Sequence, residues 1–205
     1  MIKKKITIIN SNIHNIYNLI RTFESMGYRV KTSEGKEKKI NSDIVILPGV
    51  GSFGEGMNYL KKNGLDDKIK EFVENKNKFL LGICLGMQLL FSKSSEFKET
   101  KGLNLISGYV SKLKNSYEYK IPHIGWALCT FKNKKDDILY KKKYFYFNHS
   151  YFVNSTNKDT VVATTEYGSN NFISIVRDKN ILGLQFHPEK SEKQGKKILR
   201  DFLKL

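Results

Sequence analysis

The sequence predicts an α/β protein with an open, mostly parallel β-sheet, helices on both faces and an antiparallel extension. In the first half, short β-branched and aliphatic runs alternate with segments of helical periodicity. This alternation is typical of parallel strands joined by crossover helices. After residue 105 the chain changes to short apolar segments separated by polar turns, which indicates antiparallel strands.

The first half contains predicted strands and helices in alternation. The predicted strands are residues 3–10 (KKKITIIN), 43–49 (DIVILPG) and 79–83 (FLLGI). The predicted helices are residues 14–27, 56–64, 66–76 and 86–91. In the first helix, apolar residues recur at helical spacing at Ile16, Leu19, Ile20 and Phe23.

The second half contains five predicted strands and a final helix. The strands are residues 105–113, 144–153, 160–168, 171–177 and 180–186, and the helix is residues 191–205. We expect the strands to extend the parallel sheet. Because no internal repeat or Pro/Gly/Ser-rich linker interrupts the chain, residues 1–205 are predicted to form one domain.

The chain is strongly basic, with 36 Lys and Arg against 20 Asp and Glu and a formal net charge of +16. Clustered cations are typical of nucleic-acid binding. Here the lysines are mixed with acids in every polar segment, and arginine is scarce. We therefore expect a solvated, lysine-rich surface and no nucleic-acid ligand; an acidic protein partner and a nucleic acid remain the alternatives.

Membrane, disulfide and metal signatures are absent from the sequence. No apolar run is long enough to span a membrane, and the start of the chain lacks the apolar core of a signal peptide. We expect a cytoplasmic protein. The two cysteines, Cys84 and Cys129, have no CxxC or His-rich context, so neither a metal site nor a cofactor is predicted.

One cysteine lies in a pattern that indicates a nucleophile. Gly82, Cys84 and Gly86 form G-x-C-x-G between a predicted strand and a predicted helix. This is the arrangement of the serine elbow in α/β-hydrolases, in which a strained turn presents the nucleophile. A helix N-terminus also favours thiolate over thiol. The alternative is that Cys84 is a small buried hydrophobic residue.

A nucleophilic cysteine requires a base, and the base requires an orienting group. The histidines are His14, His123, His149 and His187. His187 directly follows a predicted strand, and Glu189 follows it after one proline, so a carboxylate could hold the imidazole in one tautomer. A surface turn is the alternative for this H-P-E segment.

Residues 47–57 (LPGVGSFGEGM) follow the second predicted strand and contain four glycines. The segment lacks the Gly-Lys-Ser/Thr end of a P-loop, so a phosphate cradle is disfavoured. We expect a turn whose backbone N–H groups stabilise an oxyanion beside Cys84. A plain connection from strand to helix is the alternative.

Together these segments resemble the class I (triad) glutamine amidotransferases, which have a flavodoxin-like fold. The resemblance to this family rests on the segments GICLGMQ and HPE. Further segments are similar to those of one group within the family, the glutaminase subunits of imidazole glycerol phosphate synthases. These are PGVGSFGEGM, GICLGMQLLF, SSE, IPHIGW, HSY, ATTEYG and QFHPEKS, in this order over most of the chain.

The resemblance implies a role for each motif residue. Cys84 attacks the carboxamide of L-glutamine, His187 transfers the proton and Glu189 orients His187. Backbone N–H groups near Val50 and Gly51, and that of Leu85, hold the oxyanion. The implied substrate contacts are Gln88, Glu96, Ser150 and Tyr151, with Glu96 on the α-amino group. Gln88 could instead be a helix residue that hydrogen-bonds to the backbone.

The resemblance also implies a partner. The recognised segments span about residues 45 to 190, which leaves no length for a synthase domain. The family pairs the glutaminase with a (β/α)₈-barrel cyclase that receives the ammonia and makes imidazole glycerol phosphate and AICAR in histidine biosynthesis. The chain departs from the family pattern at residues 10–15 and at Ala127. The alternative is therefore a paralogue that supplies ammonia for amidination of a bacterial surface sugar.

Overall fold

A nine-stranded β-sheet forms the centre of the protein. The computed structural model describes residues 4–10, 16–132 and 142–204. Labelled in chain order, the strands of this sheet have the spatial order β2 (Val30–Ser33), β1 (Ile6–Ile9), β3 (Ile44–Gly49), β4 (Phe79–Cys84), β13 (Ile181–Leu184), β12 (Asn170–Asp178), β11 (Val161–Tyr167), β8 (His123–Phe131) and β9 (Lys142–His149).

The sheet has a parallel half and an antiparallel half. Strands β2, β1, β3, β4 and β13 pair in parallel. Strands β12, β11, β8 and β9 pair antiparallel, and β13 joins the halves because it is parallel to β4 and antiparallel to β12. The predicted parallel sheet with an antiparallel extension is confirmed.

A second sheet of four strands packs beside the first. Its spatial order is β10 (Tyr151–Ser155), β7 (Ile106–Lys112), β5 (Phe91–Ser94) and β6 (Thr100–Lys101). We expected residues 105–113 and 144–153 to extend the main sheet. This is wrong for β7 and β10, because the chain leaves β9 at Ser150 and β10 pairs with β7 instead.

Helices cover both faces of the main sheet, as predicted. They are α1 (Tyr17–Ser25), α2 (Phe53–Lys62), α3 (Leu65–Glu74), α4 (Leu85–Leu89) and α5 (Glu192–Leu203). One apolar cluster contains residues of α1 and α5, and the other contains residues of α2 and α3. Successive β3 residues alternate between them, with Ile44 and Ile46 in the first and Val45 and Leu47 in the second.

Helix α2 begins three residues earlier than the sequence predicts. Ser52 accepts a hydrogen bond from the Glu55 backbone N–H, and the Glu55 carboxylate accepts one from the Ser52 backbone N–H. This capping box satisfies two donors at the start of the helix. Among the described helices, none is long and apolar enough to cross a membrane.

Candidate active site

Cys84 is the last residue of β4 and the residue immediately before α4. Its backbone has φ 53° and ψ −112°, a conformation that side chains other than glycine rarely adopt. A strained residue of this kind persists only where the surrounding structure holds it in place. The strained turn that G-x-C-x-G predicts is therefore present in the fold.

The glycines on either side of Cys84 are required by close packing. A Cβ atom on Gly86 would lie 1.7 Å from the Leu47 carbonyl oxygen, and one on Gly82 would lie 2.8 Å from the Gly86 carbonyl oxygen. Both contacts are with backbone, which cannot move aside as a flexible side chain can. The glycines thus allow α4 to pack directly on β3 and β4.

The Cys84 side chain is 5% exposed and borders a cavity of about 490 Å³. Its sulfur lies 3.7 Å from the carbonyl oxygen of Asn148 and 3.8 Å from Nε2 of Gln185. A thiol at this position donates a hydrogen bond to the Asn148 carbonyl oxygen, and the Gln185 amide donates one to the sulfur in either protonation state. The sulfur is therefore held between groups of opposite polarity at the edge of the cavity.

His187 and Glu189 lie in the turn that follows β13, within a short 3₁₀ helix that Pro188 starts. His187 Nδ1 is 2.9 Å from Glu189 Oε1, and the two side chains are 6% and 12% exposed. Because a carboxylate only accepts, this contact assigns a proton to Nδ1. His187 Nε2 is buried and has no hydrogen-bond partner among the described residues.

The pKa of His187 reflects opposing effects. Burial lowers the pKa, but the charge of the Cys84 sulfur and the hydrogen bond and charge of Glu189 raise it to about 10. The protonated imidazole is therefore the form of His187 that this environment favours.

The cavity contains the other residues that the sequence singles out. Its lining includes all three predicted oxyanion residues and all four predicted substrate contacts: Val50, Gly51, Leu85, Gln88, Glu96, Ser150 and Tyr151. His187 and Glu189 line a separate cavity of about 270 Å³, which also contacts Val50. The fold thus brings segments more than 100 residues apart in sequence to the same edge of the sheet.

Gln88 is largely engaged with the protein itself. Its Nε2 donates to the Tyr151 carbonyl oxygen at 2.8 Å and to Gln185 Oε1 at 3.2 Å. The backbone hydrogen bond that the sequence left as an alternative is therefore present. Because Gln88 also borders the cavity, it both forms part of the wall and holds the segment at Tyr151.

The cavity presents one carboxylate and one lysine ammonium group. Glu96 accepts a hydrogen bond from the Phe53 backbone N–H at 2.6 Å, at the first residue of α2. Burial and the charge of Glu55 raise the pKa of Glu96, while the bond from Phe53 opposes them. Lys112, the last residue of β7, lies in the same lining.

Two buried histidines support the wall at Ser150. His149 Nδ1 is 2.9 Å from the Tyr151 carbonyl oxygen, and His149 Nε2 is 3.3 Å from His123 Nδ1. Since a carbonyl only accepts, Nδ1 of His149 carries hydrogen, and His123 donates to His149. Burial lowers the pKa of His123 to about 4 and that of His149 to about 3, so both rings are neutral at pH 7.

Sequence reasoning missed several cavity residues, among them Asn148, His149 and Lys112, and it missed Gln185, which contacts the Cys84 sulfur. Gln185 and His149 lie inside the quoted segments QFHPEKS and HSY, so proximity to a motif was their signal. Lys112 had no local signal because it ends an ordinary strand. Within the described residues, no group of three or more His, Cys, Asp and Glu is placed to bind a metal.

The other cysteine differs from Cys84 in its surroundings. Cys129 is fully buried in β8, and Thr165 Oγ1 lies 3.3 Å from its sulfur. Burial raises the pKa of the Cys129 thiol to about 11. Its chemistry is therefore that of an inert core residue.

Comparison with known proteins places this geometry in a family. The family model described as "Glutamine amidotransferase class-I" matches residues 7–205. The imidazole glycerol phosphate synthase subunit HisH 2 of Methanococcus maripaludis is 42% identical over 201 residues, covering 97% of this chain and 98% of that protein. The subunit HisH of Caldanaerobacter subterraneus subsp. tengcongensis is 44% identical over 200 residues, covering 96% of each.

A solved structure shows the same fold at lower sequence identity. The structure of PurLQS from Thermotoga maritima aligns with a TM-score of 0.75 at 20% identity, covering 99% of each chain. The family model and the relatives at about 40% identity extend over nearly the whole sequence. The chain therefore belongs to the class I glutamine amidotransferases, a family of enzymes.

Proposed function

We propose that this protein is a glutaminase that hydrolyses L-glutamine to glutamate and ammonia through Cys84, His187 and Glu189. The observation that carries the proposal is the position of the Cys84 sulfur. It lies on a strained turn at the edge of a cavity, at the end of β4. The neighbouring strand β13 leads into His187, whose imidazole pairs with the Glu189 carboxylate. This is the arrangement that nucleophilic catalysis by cysteine requires.

In the first half-reaction the Cys84 thiolate attacks the side-chain carboxamide carbon of glutamine, and the carbonyl oxygen becomes an oxyanion. The backbone N–H groups at Val50 and Gly51, and that of Leu85, stabilise this charge. Leu85 is the first residue of α4, so its N–H has no partner within the helix. The His187 imidazolium then donates its proton to the leaving nitrogen, which departs as ammonia.

The second half-reaction hydrolyses the γ-glutamyl thioester. His187, now neutral, takes a proton from water as the water oxygen attacks the thioester carbon. The carbon–sulfur bond breaks, which releases glutamate and restores the thiolate and the imidazolium. Glu189 holds the Nδ1 proton throughout, so Nε2 faces the reacting atoms.

The charges in the cavity match a zwitterionic amino acid. Glu96 pairs with the α-ammonium group of glutamine, and Lys112 provides a positive charge for its α-carboxylate. Ser150 and Tyr151 also line the cavity, and Gln88 positions the Tyr151 backbone. This division of roles supports selection of a free amino acid over a simple amide.

We further propose that a (β/α)₈-barrel cyclase receives the ammonia in histidine biosynthesis. Support comes from the relatives at about 40% identity, which are named as subunits of imidazole glycerol phosphate synthase. The separate cavity at His187 and Glu189, which also contacts Lys190, offers ammonia an exit distinct from the substrate cavity. We expect the complex to function in the cytoplasm.

A second candidate is supply of ammonia for amidination of a surface sugar. It rests on the departures from the family pattern, one of which, Ala127, lies in β8. The departure at residues 10–15 falls mainly on positions outside the described residues. Methanococcus maripaludis has two related subunits, at 42% and 39% identity to this chain, so one organism can hold two such proteins.

A paired cysteine experiment tests the glutaminase. Cys84→Ala should reduce ammonia release from glutamine by about 10³-fold or more, because the nucleophile is lost. Cys129→Ala should retain most of the activity, since Cys129 is buried in the core. Ammonia release is measured with each variant, with circular dichroism as the check on folding.

Alkylation gives an independent readout in the same experiment. Iodoacetamide should label Cys84 of the folded protein, and glutamine should slow the labelling. Cys129 should react only after unfolding, because its thiol is buried and has a raised pKa. Equal loss of activity in two folded variants, or faster labelling of Cys129, would contradict the assignment.

A further inference from the structure

A basic cavity lies at the opposite edge of the main sheet from Cys84. It has a volume of about 620 Å³ and is bordered by the amino ends of the first three strands: Lys4, Lys5, Ile6 and Thr7 at β1, Gly27, Arg29 and Lys31 at β2, and Asn41 and Ser42 before β3. The volume is within the range of cavities that bind small molecules. Cys84, in contrast, lies at the carboxyl end of β4.

Four cations and no carboxylate line this cavity. Lys4, Lys5, Arg29 and Lys31 form no ion pair within the part of the chain that the structure describes. The neighbouring acid, Asp43, accepts a hydrogen bond from the Lys5 backbone N–H at 2.6 Å. The side-chain charges of the lining are thus left uncompensated.

Two buried polar atoms at the cavity have no hydrogen-bond partner among the described residues. Ser42 is 3% exposed, and its Oγ is unpartnered. The Lys4 Nζ atom is also buried and unpartnered, and it lies 4.9 Å from the centre of the Phe79 ring. Buried polar groups are nearly always hydrogen-bonded, so each of these atoms calls for a ligand atom.

A solvated lysine surface does not explain these features. Elsewhere the lysines are interspersed with acids, as in YLKKNGLDDKIK, and several form ion pairs such as Lys39 with Glu71. Here the cations surround a concave site whose described lining contains no carboxylate. Arg29 adds a guanidinium group, whose planar donors match phosphate oxygens.

We propose that this cavity binds a small phosphate-bearing anion. Arg29 and Lys31 are exposed and lie at the entrance of the cavity. The buried Ser42 hydroxyl donates a hydrogen bond to a phosphate oxygen, and the Lys4 ammonium group adds a further positive charge. The site is distinct from the glutamine cavity, so the proposal does not depend on the glutaminase activity.

Calorimetric titration of the full chain with inorganic pyrophosphate at low salt tests the proposal. The wild-type protein should bind one pyrophosphate per chain. The double variant Arg29→Gln/Lys31→Gln should bind more than about tenfold more weakly, since two charge-assisted contacts are lost. The control Lys61→Gln/Lys62→Gln, at the exposed end of α2, has the same change in charge and should bind like wild type.

A charge-neutral variant separates a built site from general attraction. Ser42→Ala should bind pyrophosphate about threefold to tenfold more weakly, because one hydrogen bond is lost. Its Tm without ligand should not fall, since the hydroxyl has no protein partner. Failure of the wild-type protein to saturate, equal weakening in the Lys61/Lys62 control, or unchanged binding by Ser42→Ala would overturn the proposal.

Discussion

His187 is a buried histidine that holds a positive charge at neutral pH. Its burial opposes that charge, but Cys84 and Glu189 provide the compensating negative groups that raise its pKa to about 10. A protonated imidazole is the form that can donate a proton to a leaving amine. Glu189 therefore acts both on the orientation of His187 and on its charge.

Replacing Glu189 should separate these two roles. We expect Glu189→Gln to lower kcat by about 10²-fold or more, as loss of the orienting carboxylate does in other triads. It should also lower the pKa of His187, because a negative charge is removed, so the alkaline limb of the pH–kcat profile moves to lower pH. Steady-state kinetics across pH measures both effects.

The matched control for this prediction is Glu166→Gln, which removes an exposed carboxylate on β11. It should leave kcat and its pH profile unchanged. A Glu189→Gln enzyme with reduced kcat but an unshifted alkaline limb would show that the carboxylate does not act on the charge of His187.

Among single residues, local motifs pointed to Cys84, His187 and Glu189 as candidate site residues. They did not point to the residues that connect these three. Gln185 is fully buried and links the Cys84 sulfur to Gln88. That link depends on the pairing of β13 with β4, which a local pattern does not reveal. The sequence could therefore indicate candidates for the reacting groups, while the hydrogen bonds that connect them required the tertiary structure.

Among the elements, α4 is positioned by how closely it packs on the sheet. The tightest contact is at Gly86, against the Leu47 carbonyl oxygen. Gly54, in α2, offers a comparison because the nearest atom to a Cβ there, apart from the helix's own backbone and the adjacent residues, would be Thr100 Oγ1 at 3.9 Å. Two glycines in helices thus differ in their tolerance of a single methyl group.

Alanine substitution at these positions should have opposite effects on stability. Gly86→Ala should lower the free energy of unfolding by more than about 3 kcal/mol, because backbone must move to relieve the clash. Gly54→Ala should raise it by up to about 1 kcal/mol through helix propensity. Urea denaturation of both variants measures the difference, and similar stabilities would contradict the packing described for α4.

Strands β8 and β9 place His123 and His149 directly opposite each other. Burial lowers the pKa of both rings, so between about pH 6.5 and 4 the unfolded chain binds protons that the folded chain does not. Stability should fall as pH decreases through this window, by about 1.4 kcal/mol per pH unit for each excess proton. His187 is protonated in both states only below about pH 5.5; nearer pH 6.5 the folded state alone is fully protonated, so there His187 opposes this trend.

Comparison of wild type with His123→Phe isolates this effect. The phenyl ring keeps the stacking on Phe147 and Tyr167 but removes one titrating group. Urea denaturation between pH 4 and 7 should show a shallower dependence of stability on pH for the variant. An unchanged slope would mean that His123 does not titrate as its burial implies.

The elements were predicted where hydrophobic periodicity is strong and missed where it is weak. Strand β2 is short and mainly polar (VKTS), so no apolar run marks it. The start of α2 was missed although Ser52 and Glu55 form a capping-box pattern in the sequence. Assignment of β7 and β10 to the second sheet failed because alternation identifies a strand's faces, not its pairing partner.

For the whole molecule, the proposed partner predicts how activity depends on assembly. The isolated chain should hydrolyse glutamine slowly, and addition of a barrel cyclase with its bound ligand should increase kcat by about tenfold or more through coupling between the subunits. An ammonia-release assay with and without the partner measures this. Rapid hydrolysis that no partner alters would contradict the coupling but not the glutaminase itself.

The central position of β13 has a consequence for how the molecule is made. This strand emerges from the ribosome after residue 180, yet it lies between β4 and β12. Until it inserts, the two halves of the sheet have facing unpaired edges and the imidazole is absent. A nascent or truncated chain ending before Ile181 therefore lacks a reactive centre, and its open edges are sites for aggregation.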